Sequence, residues 1–307
     1  MARNQKSAEL LWGIDLGGTK IEGVVLNASN LSEVLCRTRI PTEAGGGYEH
    51  VLKRIKKLVE MMSQDIGDKP DIIGLGTPGS LDPKTGLLHN SNSTNLNDKP
   101  FKQDIEAILT LPTEIDNDAN CFALAEAKMG VVQDVAPGAA VVFGVIMGTG
   151  VGGGIVVNGK VIKGNHGIAG EWGHNFLDES GGKCYCGKVG CVETVISGTA
   201  LERFYQSISG QTRKLTEIVT LAGKDPHAEA TLERLVHFFG LGISSVINIL
   251  DPDIIVLGGG VGNVDHLYAA GVKEVEKYTF NTRLETPIAK PKLGDSAGVF
   301  GAALLTS

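Results

Sequence analysis

The 307-residue chain has few features that would direct it to a membrane, a nucleic acid or the secretory route. It contains no uncharged apolar run of about eighteen residues, the length that a membrane helix needs, and its first ten residues are polar, unlike a signal peptide. Neither terminus carries a cluster of lysine or arginine, and the formal net charge is -7, which argues against nucleic acid as a partner. We therefore expect a cytoplasmic protein without a membrane or nucleic-acid partner.

Two common nucleotide-binding patterns are also missing. The Walker sequence G-x-x-x-x-G-K-[ST] does not occur, which argues against a P-loop site. Gly148, Gly150 and Gly153 match the spacing of the dinucleotide fingerprint, but that fingerprint requires a helix after the glycines. Residues 155–162 instead predict a hairpin with an Asn-Gly turn, so we reject the dinucleotide interpretation.

What the chain does contain is glycine, 42 residues of it, clustered behind apolar runs. Gly17-Gly18 follows a predicted strand at 10–16, the run 148–154 follows one at 139–147, and 258–260 follows one at 254–257. Such turns can aim backbone N–H groups at phosphate oxygens, because glycine tolerates positive φ and has no Cβ. A single glycine pair could be an ordinary hairpin, but three such turns favour a phosphate-binding role.

The remaining apolar patterns repeat in two halves. The first half predicts strands at 21–26, 34–40 and 72–76 and helices at 51–62 and 121–129. The second predicts the hairpin 155–162, a helix at 228–250 and a terminal helix at 297–305. Glu229, Glu233 and Arg234 interrupt the 228–250 pattern, which argues against a membrane span. The repeated order predicts an α/β protein of two lobes around a cleft.

Three of the five cysteines lie close together. Cys184, Cys186 and Cys191 share one glycine-containing loop, and His174 stands ten residues upstream of the first. This Cys₃His set has the donors and spacing of a structural zinc site, whereas three loose thiols would be a liability in a reducing compartment. The other two cysteines, in apolar or helical contexts, are expected to be inert packing residues.

An acidic turn follows a short predicted strand near Ile115. In Asp116-Asn-Asp-Ala-Asn120, Asp118 could simply cap the following helix. Phosphoryl transfer, however, needs a carboxylate that accepts the proton of the attacking hydroxyl. Asp118 can supply that carboxylate, and Asn117 can orient a sugar.

Taken together, the motifs resemble those of the ROK family of sugar kinases over almost the whole chain. The shared segments are Asp15-Leu-Gly-Gly-Thr-Lys20, Asp116 to Cys121, Gly148 to Gly154, Gly170-Glu-Trp-Gly-His174, Cys184 to Glu193 and Gly294-Asp-Ser-Ala-Gly298. The resemblance implies a two-lobed, actin-like ATPase (ribonuclease H-like) α/β fold with an inserted zinc loop. The expected small lobe is 1–117 plus 297–307, and the large lobe is 118–296 with the zinc loop at 174–193.

The same resemblance implies roles for individual residues, with ATP, Mg²⁺ and Zn²⁺ as cofactors and a homodimer as the assembly. Asp118 corresponds to the catalytic base, and Asp15 would hold Mg²⁺ through water. The implied sugar-binding residues are Gly79, Asn92, Asn117, Glu171, His174 and Glu193. The implied nucleotide-binding residues are Asp15, Gly17, Gly18, Thr19, Lys20, Gly148, Thr149, Gly150, Gly259 and Gly260. The implied zinc ligands are His174, Cys184, Cys186 and Cys191.

Within the family, segments such as 77–86 and 92–97 are most similar to bacterial fructokinases that also accept mannose. We therefore predict phosphorylation of the 6-hydroxyl of fructose, with glucokinase and N-acetylglucosamine kinase as alternatives. Trp172, beside Glu171, is expected to fill the niche that an N-acetyl group would need. A sugar-sensing regulator of the same family is the alternative of another class; only about ten residues precede the first strand, too few for a helix-turn-helix module.

Overall fold

The chain folds as two α/β units, each built on its own five-stranded sheet, in a computed structural model that describes residues 9–91 and 93–307. The first unit comprises the described residues of Met1–Met129, Lys163–Ala169 and Leu293–Ser307. The second comprises Gly130–Ile162 and Gly170–Lys292.

Twelve strands and eleven α-helices follow one another along the described residues. The strands are β1 Leu10–Leu16, β2 Lys20–Asn27, β3 Asn30–Pro41, β4 Ile73–Thr77, β5 Ser80–Leu81, β6 Leu88–His89, β7 Thr113–Asn117, β8 Val141–Met147, β9 Val151–Val157, β10 Lys160–Val161, β11 Ile254–Gly258 and β12 Ile288–Ala289. The helices are α1 Tyr48–Ile66, α2 Phe101–Leu109, α3 Asp118–Lys128, α4 Val132–Val135, α5 Val192–Ile196, α6 Gly198–Ser209, α7 Leu215–Thr220, α8 Pro226–Leu250, α9 Gly259–Gly262, α10 Val272–Tyr278 and α11 Ala297–Leu304.

The sheet of the first unit has the order β3-β2-β1-β4-β7. Strands β1, β2 and β3 are antiparallel neighbours, whereas β4 and β7 run parallel to β1. Helix α1 places apolar side chains at helical spacing, among them Ile55, Leu58 and Met62, on the face of the sheet that contains Gly23. Burial of each such side chain stabilises the unit by about 1.5–3 kcal/mol.

Helix α11 returns from the end of the chain to the opposite face of this sheet. A Cβ added to Gly13 would lie 2.3 Å from the backbone nitrogen of Ala303, and one added to Gly74 would lie 1.7 Å from the carbonyl oxygen of Ala302. Gly301 in the helix lies equally close to the backbone of Cys121 in α3. Glycine is required at these positions because only a missing side chain lets the backbones approach so closely.

The second sheet repeats the first, with the order β10-β9-β8-β11-β12. Its first three strands are again antiparallel, and β11 and β12 again run parallel to the first of them. The repeat predicted from the apolar patterns is therefore present in the strand order. The predicted glycine turn at 148–154 is shorter than expected, because β9 begins at Val151. Its glycines permit a close approach: a Cβ on Gly153 would lie 2.6 Å from the carbonyl of Gly170.

Helix α8 is the one helix of the described residues that is long and apolar enough to cross a membrane by length and composition. Half of its apolar window is buried inside the protein. Leu235, Phe239 and Ile243 belong to the hydrophobic core of the second unit. This packing is that of a core helix.

The limits of the units differ from the predicted lobes in three segments, 118–129, 163–169 and 293–296, all of which group with the first unit. The predicted large lobe starts at residue 118, whereas helix α3 groups with the first unit, which continues to Met129. The close contact of Gly301 with the backbone of Cys121 is the physical reason, because it attaches α3 to α11.

Candidate active site and metal centre

The turn between β1 and β2 carries the first group of predicted nucleotide-binding residues. The backbone N–H of Gly17 donates to the carbonyl of Lys20 at 3.0 Å, which closes the turn. The buried Thr42, directly after β3, supports the turn, because its hydroxyl donates to the carbonyl of Gly17 at 2.7 Å and its N–H to that of Thr19 at 3.0 Å. Gly18, Thr19 and Lys20 are exposed. No motif indicates Thr42, which lies 23 positions after Thr19 in the sequence.

Asp15 lies one residue before the end of β1, where the negative charges of Asp118 and Glu22 act on its carboxyl. Burial, followed by the charges of Asp118 and Glu22, raises the pKa of Asp15 to about 6, while Lys20 opposes the shift. Glu22 is itself buried and pairs with Arg37 at 2.6 Å and with two further cations. Negative charges that raise the pKa of Asp15 in this way also favour a bound cation there, and oxygen ligands suit Mg²⁺. The residues therefore fit the predicted metal role of Asp15.

Asp118 is not the helix cap that the alternative interpretation proposed. The cap of α3 is Asn117, whose Oδ1 accepts the backbone N–H of Asn120 at 2.7 Å. Asp118 is the first residue of the helix, and its Oδ1 accepts the N–H of Ala119 at 2.8 Å. The residue is exposed, yet the surrounding protein removes enough water from the carboxyl to raise its pKa against the effect of these backbone bonds. An exposed carboxyl with a raised pKa suits a general base.

Two other predicted sugar-binding residues lie in the same unit. The amide of Asn117 donates to the hydroxyl of Ser80 at 3.4 Å, a partner that the sequence did not reveal. Gly79 is buried, and a Cβ there would lie 2.4 Å from the carbonyl of His89. Packing alone therefore requires glycine at this position, and its contact with sugar stays a prediction. Asn92 lies outside the described residues.

In the second unit, the Gly148–Gly150 turn is tied to the helices that follow it. The N–H of Gly198 donates to the carbonyl of Gly148 at 2.8 Å, and the hydroxyl of Thr199 to that of Thr149 at 2.7 Å. These contacts come from the first turn of α6. They fix the direction of the peptide groups in the turn.

Glu193 connects the same turn to the cysteine loop. Its Oε2 accepts the backbone N–H of Val151 at 3.0 Å, and a Cβ on Gly150 would lie 2.4 Å from that oxygen. A residue predicted to bind sugar thus contacts the backbone of a turn predicted to bind nucleotide. This contact gives Gly150 a physical reason to be glycine.

The third glycine turn joins this group. Gly259 adopts φ +79°, and a Cβ there would lie 2.3 Å from the carbonyl of Met147. Gly259 and Gly260 open the short helix α9 directly after β11. The structure therefore places two of the three predicted glycine turns side by side within the second unit.

His174, Cys184, Cys186 and Cys191 form a compact cluster. Their donor atoms all lie within 4.8 Å of one another, and none of the cysteines is in a disulfide. Cys186 Sγ lies 3.6 Å from Cys191 Sγ, and Cys184 Sγ lies 3.6 Å from His174 Nδ1. A tetrahedral ion with bonds of about 2.0–2.3 Å needs ligand separations of this size. The donor set therefore fits a four-coordinate metal with no open position.

The other nitrogen of His174 already has a partner. Nε2 lies 3.0 Å from the hydroxyl of Tyr185, and the two rings meet edge to face with centroids 5.1 Å apart. Burial and the charges of Glu193 and Glu171 raise the pKa of Tyr185 to about 12, so its hydroxyl stays protonated at neutral pH. Hydrogen bonding at Nε2 leaves Nδ1 as the metal donor. A sugar contact through Nε2 would require Tyr185 to give way.

The expectation about Trp172 is wrong. Its ring is buried, its Nε1 donates to the carbonyl of Gly242 in α8 at 3.2 Å, and it packs edge to face against Phe143. The indole is therefore a core residue of the second unit, although Glu171 beside it is only half-buried. The objection to an N-acetyl group that rested on Trp172 no longer holds.

The comparisons with known proteins agree with this set of motifs. The ROK family profile matches residues 11–307. An N-acetyl-D-glucosamine kinase of Haemophilus influenzae (strain 86-028NP) is 37% identical over 96% of this chain and 99% of the relative. The crystal structure of a ROK hexokinase from Thermus thermophilus has a TM-score of 0.86 and 33% identity, and the match covers 97% of each chain. A ROK family glucokinase from Streptomyces griseus, solved with glucose and AMPPNP, has a TM-score of 0.76 and 26% identity over 96% of this chain and 98% of that one.

Fold and site thus define a two-unit α/β protein with an acidic turn in one unit and a Cys₃His cluster in the other. The chain belongs to the ROK family. The family assignment made from the motifs and the α/β fold expected from it are confirmed.

Proposed function

We propose that this protein is an ATP-dependent sugar kinase. The observation that carries the proposal is the match to kinases of the ROK family over nearly the full chain, with Asp118 exposed at the start of α3. The raised pKa of Asp118 supports the role of base, because a carboxylate with a higher pKa is a stronger proton acceptor.

The proposed reaction needs little covalent chemistry from the protein. Asp118 accepts the proton of the sugar hydroxyl as that oxygen bonds to the γ-phosphorus of ATP, and the bond from this phosphorus to the β,γ-bridging oxygen breaks with release of ADP. Asn117 orients the sugar, and Asp15 would hold the metal through water. Mg²⁺, when bound, neutralises negative charge on the phosphates. The glycine turns at 17–18, 148–150 and 259–260 donate backbone hydrogen bonds to the nucleotide in this proposal.

We propose N-acetyl-D-glucosamine as the preferred substrate, phosphorylated at its 6-hydroxyl. The relatives that support this substrate are N-acetyl-D-glucosamine kinases, including that of Haemophilus influenzae at 37% identity. The fructose preference predicted from local segments finds no support among these relatives. Its physical argument is also gone, because Trp172 lies in the core. Glu171 and Glu193 remain the proposed sugar ligands, and His174 joins them only where Tyr185 moves away from its Nε2.

An unsubstituted hexose is the second candidate. The ROK hexokinase of Thermus thermophilus, at 33% identity, favours it. A methylene-scale difference in an apolar pocket changes discrimination by only about 1–3 kcal/mol, so some turnover of glucose is compatible with the main proposal where the pocket contacts chiefly the methyl of the acetamido group.

We also propose that the Cys₃His cluster binds one Zn²⁺ with a structural role. Three thiolates and one imidazole nitrogen are the donors that zinc prefers, and four protein ligands leave no position for a substrate. Glu193 lies two residues after Cys191, so a metal that orders the cysteine loop also fixes this proposed sugar ligand.

An ATP-coupled assay on a panel of sugars tests the function. We expect the highest kcat/KM for N-acetylglucosamine, compared with glucose, mannose, fructose and N-acetylmannosamine. The Asp118→Asn variant, purified in parallel, shows whether a contaminating kinase contributes. Preference for an unsubstituted hexose would overturn the substrate proposal alone. If no sugar of the panel supports ATP turnover, the kinase proposal is overturned and a sugar-binding regulator is favoured.

A further inference from the structure

Asp116 fixes the turn that carries the proposed base. The residue is 8% exposed, and its Oδ1 accepts both the backbone N–H of Asn117 at 2.9 Å and the side-chain amide of Asn120 at 2.7 Å. Asn117 in turn accepts the backbone N–H of Asn120. These bonds hold the residues on both sides of Asp118. The direction of the Asp118 carboxylate therefore depends on Asp116 remaining a hydrogen-bond acceptor.

The second oxygen of Asp116 is in a different situation. Oδ2 is buried and has no hydrogen-bond partner among the described residues. The ammonium of Lys163 lies 3.6 Å from this oxygen and donates a hydrogen bond of 3.1 Å to the carbonyl of Ile115. Burial raises the pKa of Asp116, and Lys163 is the largest influence that lowers it. A protonated Asp116 would place a donor in a turn that needs acceptors, and the ammonium opposes that form.

Lys163 reaches this turn from a distant part of the chain. It opens Lys163–Ala169, which belongs to the first unit although the chain before and after it belongs to the second. Gly167 fixes this segment, because its φ is +69° and a Cβ would lie 2.6 Å from the carbonyl of Leu81. The segment continues directly into Gly170-Glu171, part of the proposed sugar-binding motif.

We propose that Lys163 and Asp116 form a positioning pair for the kinase reaction, in which the ammonium keeps Asp116 as the double acceptor that orients Asn117 and Asp118. Neither residue of the pair contacts the reacting atoms. The proposal rests on the proposed function. It assigns a role to Lys163, which lies outside the motif that contains the base.

The first test replaces the charge and keeps the aliphatic stem. Lys163→Met should lower kcat by about 10–100-fold, because small displacements of a catalytic group have effects of this size. The KM for ATP should change little, since the nucleotide-binding glycines are untouched. Lys163→Arg should restore most of kcat because it retains a cation. Lys160→Met, which removes an exposed lysine of the same stretch, is the matched control and should behave as the wild type.

The second test measures the coupling between the two residues. In an Asp116→Asn background the side chain has no charge to balance and keeps one acceptor oxygen, so Lys163→Met should then change kcat by about twofold or less. Additive losses in the double variant would show two independent structural effects and overturn the pair. Thermal denaturation of every variant identifies any that fails to fold, and Lys163→Arg and Asp116→Asn then carry the comparison.

The outcomes separate this proposal from the one it rests on. A wild type that phosphorylates no sugar overturns the kinase function and with it this role of the pair. An active wild type whose Lys163→Met variant keeps its kcat overturns the pair alone. A Lys163→Met variant that loses thermal stability but keeps its kcat also overturns the pair alone.

Discussion

The two five-stranded sheets have equivalent strand orders but carry different side chains at equivalent strand ends. In the first unit, β1 ends beside Asp15, and β7 leads into Asn117 and Asp118. In the second unit, glycines follow β8 directly and lie at the end of β11, and β12 has only two residues. The first unit thus offers acidic side chains beside the Gly17-Gly18 turn, whereas the second unit offers mainly bare backbone at the equivalent strand ends. In the proposed reaction, the acidic side chains would serve proton transfer and the bare backbone of both units would bind phosphate.

The insertions also differ between the sheets. Only α1 separates β3 from β4, whereas the corresponding stretch of the second unit, between β10 and β11, contains the Cys₃His cluster and four helices. Buried apolar side chains flank the turn between β1 and β2 in the first unit. The cysteine loop of the second unit instead contains exposed apolar residues such as Phe176 and Tyr185. A bound metal is a physical means of ordering such a loop, because its free energy of binding contributes to folding.

The largest expected effect is the loss of the proposed base in the first unit, which should affect the chemical step and not sugar binding. Asp118→Asn should lower kcat by about a hundredfold or more, the usual scale for loss of a general base, and leave sugar binding largely intact. Steady-state kinetics with a direct binding measurement checks this, with Asp68→Asn on an exposed turn as control. A near-normal kcat would remove Asp118 from the mechanism.

The metal of the second unit gives the next effect. Protein purified without added metal should contain about one zinc per chain by elemental analysis, and Cys184→Ser with Cys191→Ser should abolish binding, since four ligands complete the site. Activity should fall with the metal because the loop also carries Glu193. A stoichiometry near zero in the wild type contradicts the zinc proposal whatever the activity.

Tyr185→Phe sharpens the test, because it removes one hydroxyl and keeps the ring. Loss of the contact at His174 Nε2 should weaken zinc binding by about 10–100-fold, the range found for outer partners of metal-binding histidines. Competition with a chromophoric chelator measures the affinity. Phe176→Leu, at an exposed position of the same loop, is the control. Equal affinities for wild type and Tyr185→Phe would show that the hydroxyl does not support the metal ligand.

A glycine comparison tests the backbone role of the second unit. Gly150→Ala should raise the KM for sugar and ATP by roughly tenfold, because its methyl would displace the Glu193 carboxylate from the N–H of Val151. Gly148→Ala adds the same methyl where nothing lies within 4 Å, so its effect should be smaller. Equal effects in the two variants would contradict the proposed link between this turn and Glu193.

The smallest effect concerns the stability of the first unit. The pKa of Asp15 is raised to about 6, so the folded state binds a proton more tightly than the unfolded state, and the ionised form destabilises the fold as pH rises from about 4 through 6. Asp15→Asn should therefore stabilise the metal-free protein at pH 7–8 by roughly 1–3 kcal/mol, and the gain should vanish near pH 4. Urea denaturation at both pH values measures it. A gain that is independent of pH would show that Asp15 does not titrate as proposed.

The sequence predicted the elements that depend on local patterns. Each glycine turn behind an apolar run is present, and so is the hairpin at Asn158-Gly159, which excludes the dinucleotide interpretation. The helical spacing of Ile55, Leu58 and Met62 located α1, though not its ends. The family and the Cys₃His cluster followed from short motifs with fixed spacing.

What the sequence could not provide were contacts between distant segments and the directions of side chains. Trp172 stands beside a predicted sugar ligand but points into the core, and only the position of Gly242 in α8 decides this. Lys163 has no neighbouring residue that indicates its contact with Asp116. The glycines of β9 resemble a longer turn in the sequence. They lie in a strand because Gly170 approaches that strand closely, and this approach cannot be inferred from periodicity.

Helix α11 has a consequence for the order in which the protein matures during synthesis. Strand β1 is synthesised long before α11, although the glycines of β1 and β4 are the positions at which this helix packs against the sheet. The residues of the second unit have all left the ribosome before this helix is complete, so that unit can form its core while the first sheet still exposes one face. The sheet of the first unit therefore cannot complete its packing until the segment that contains α11 has been synthesised, so one of the earliest strands becomes native late.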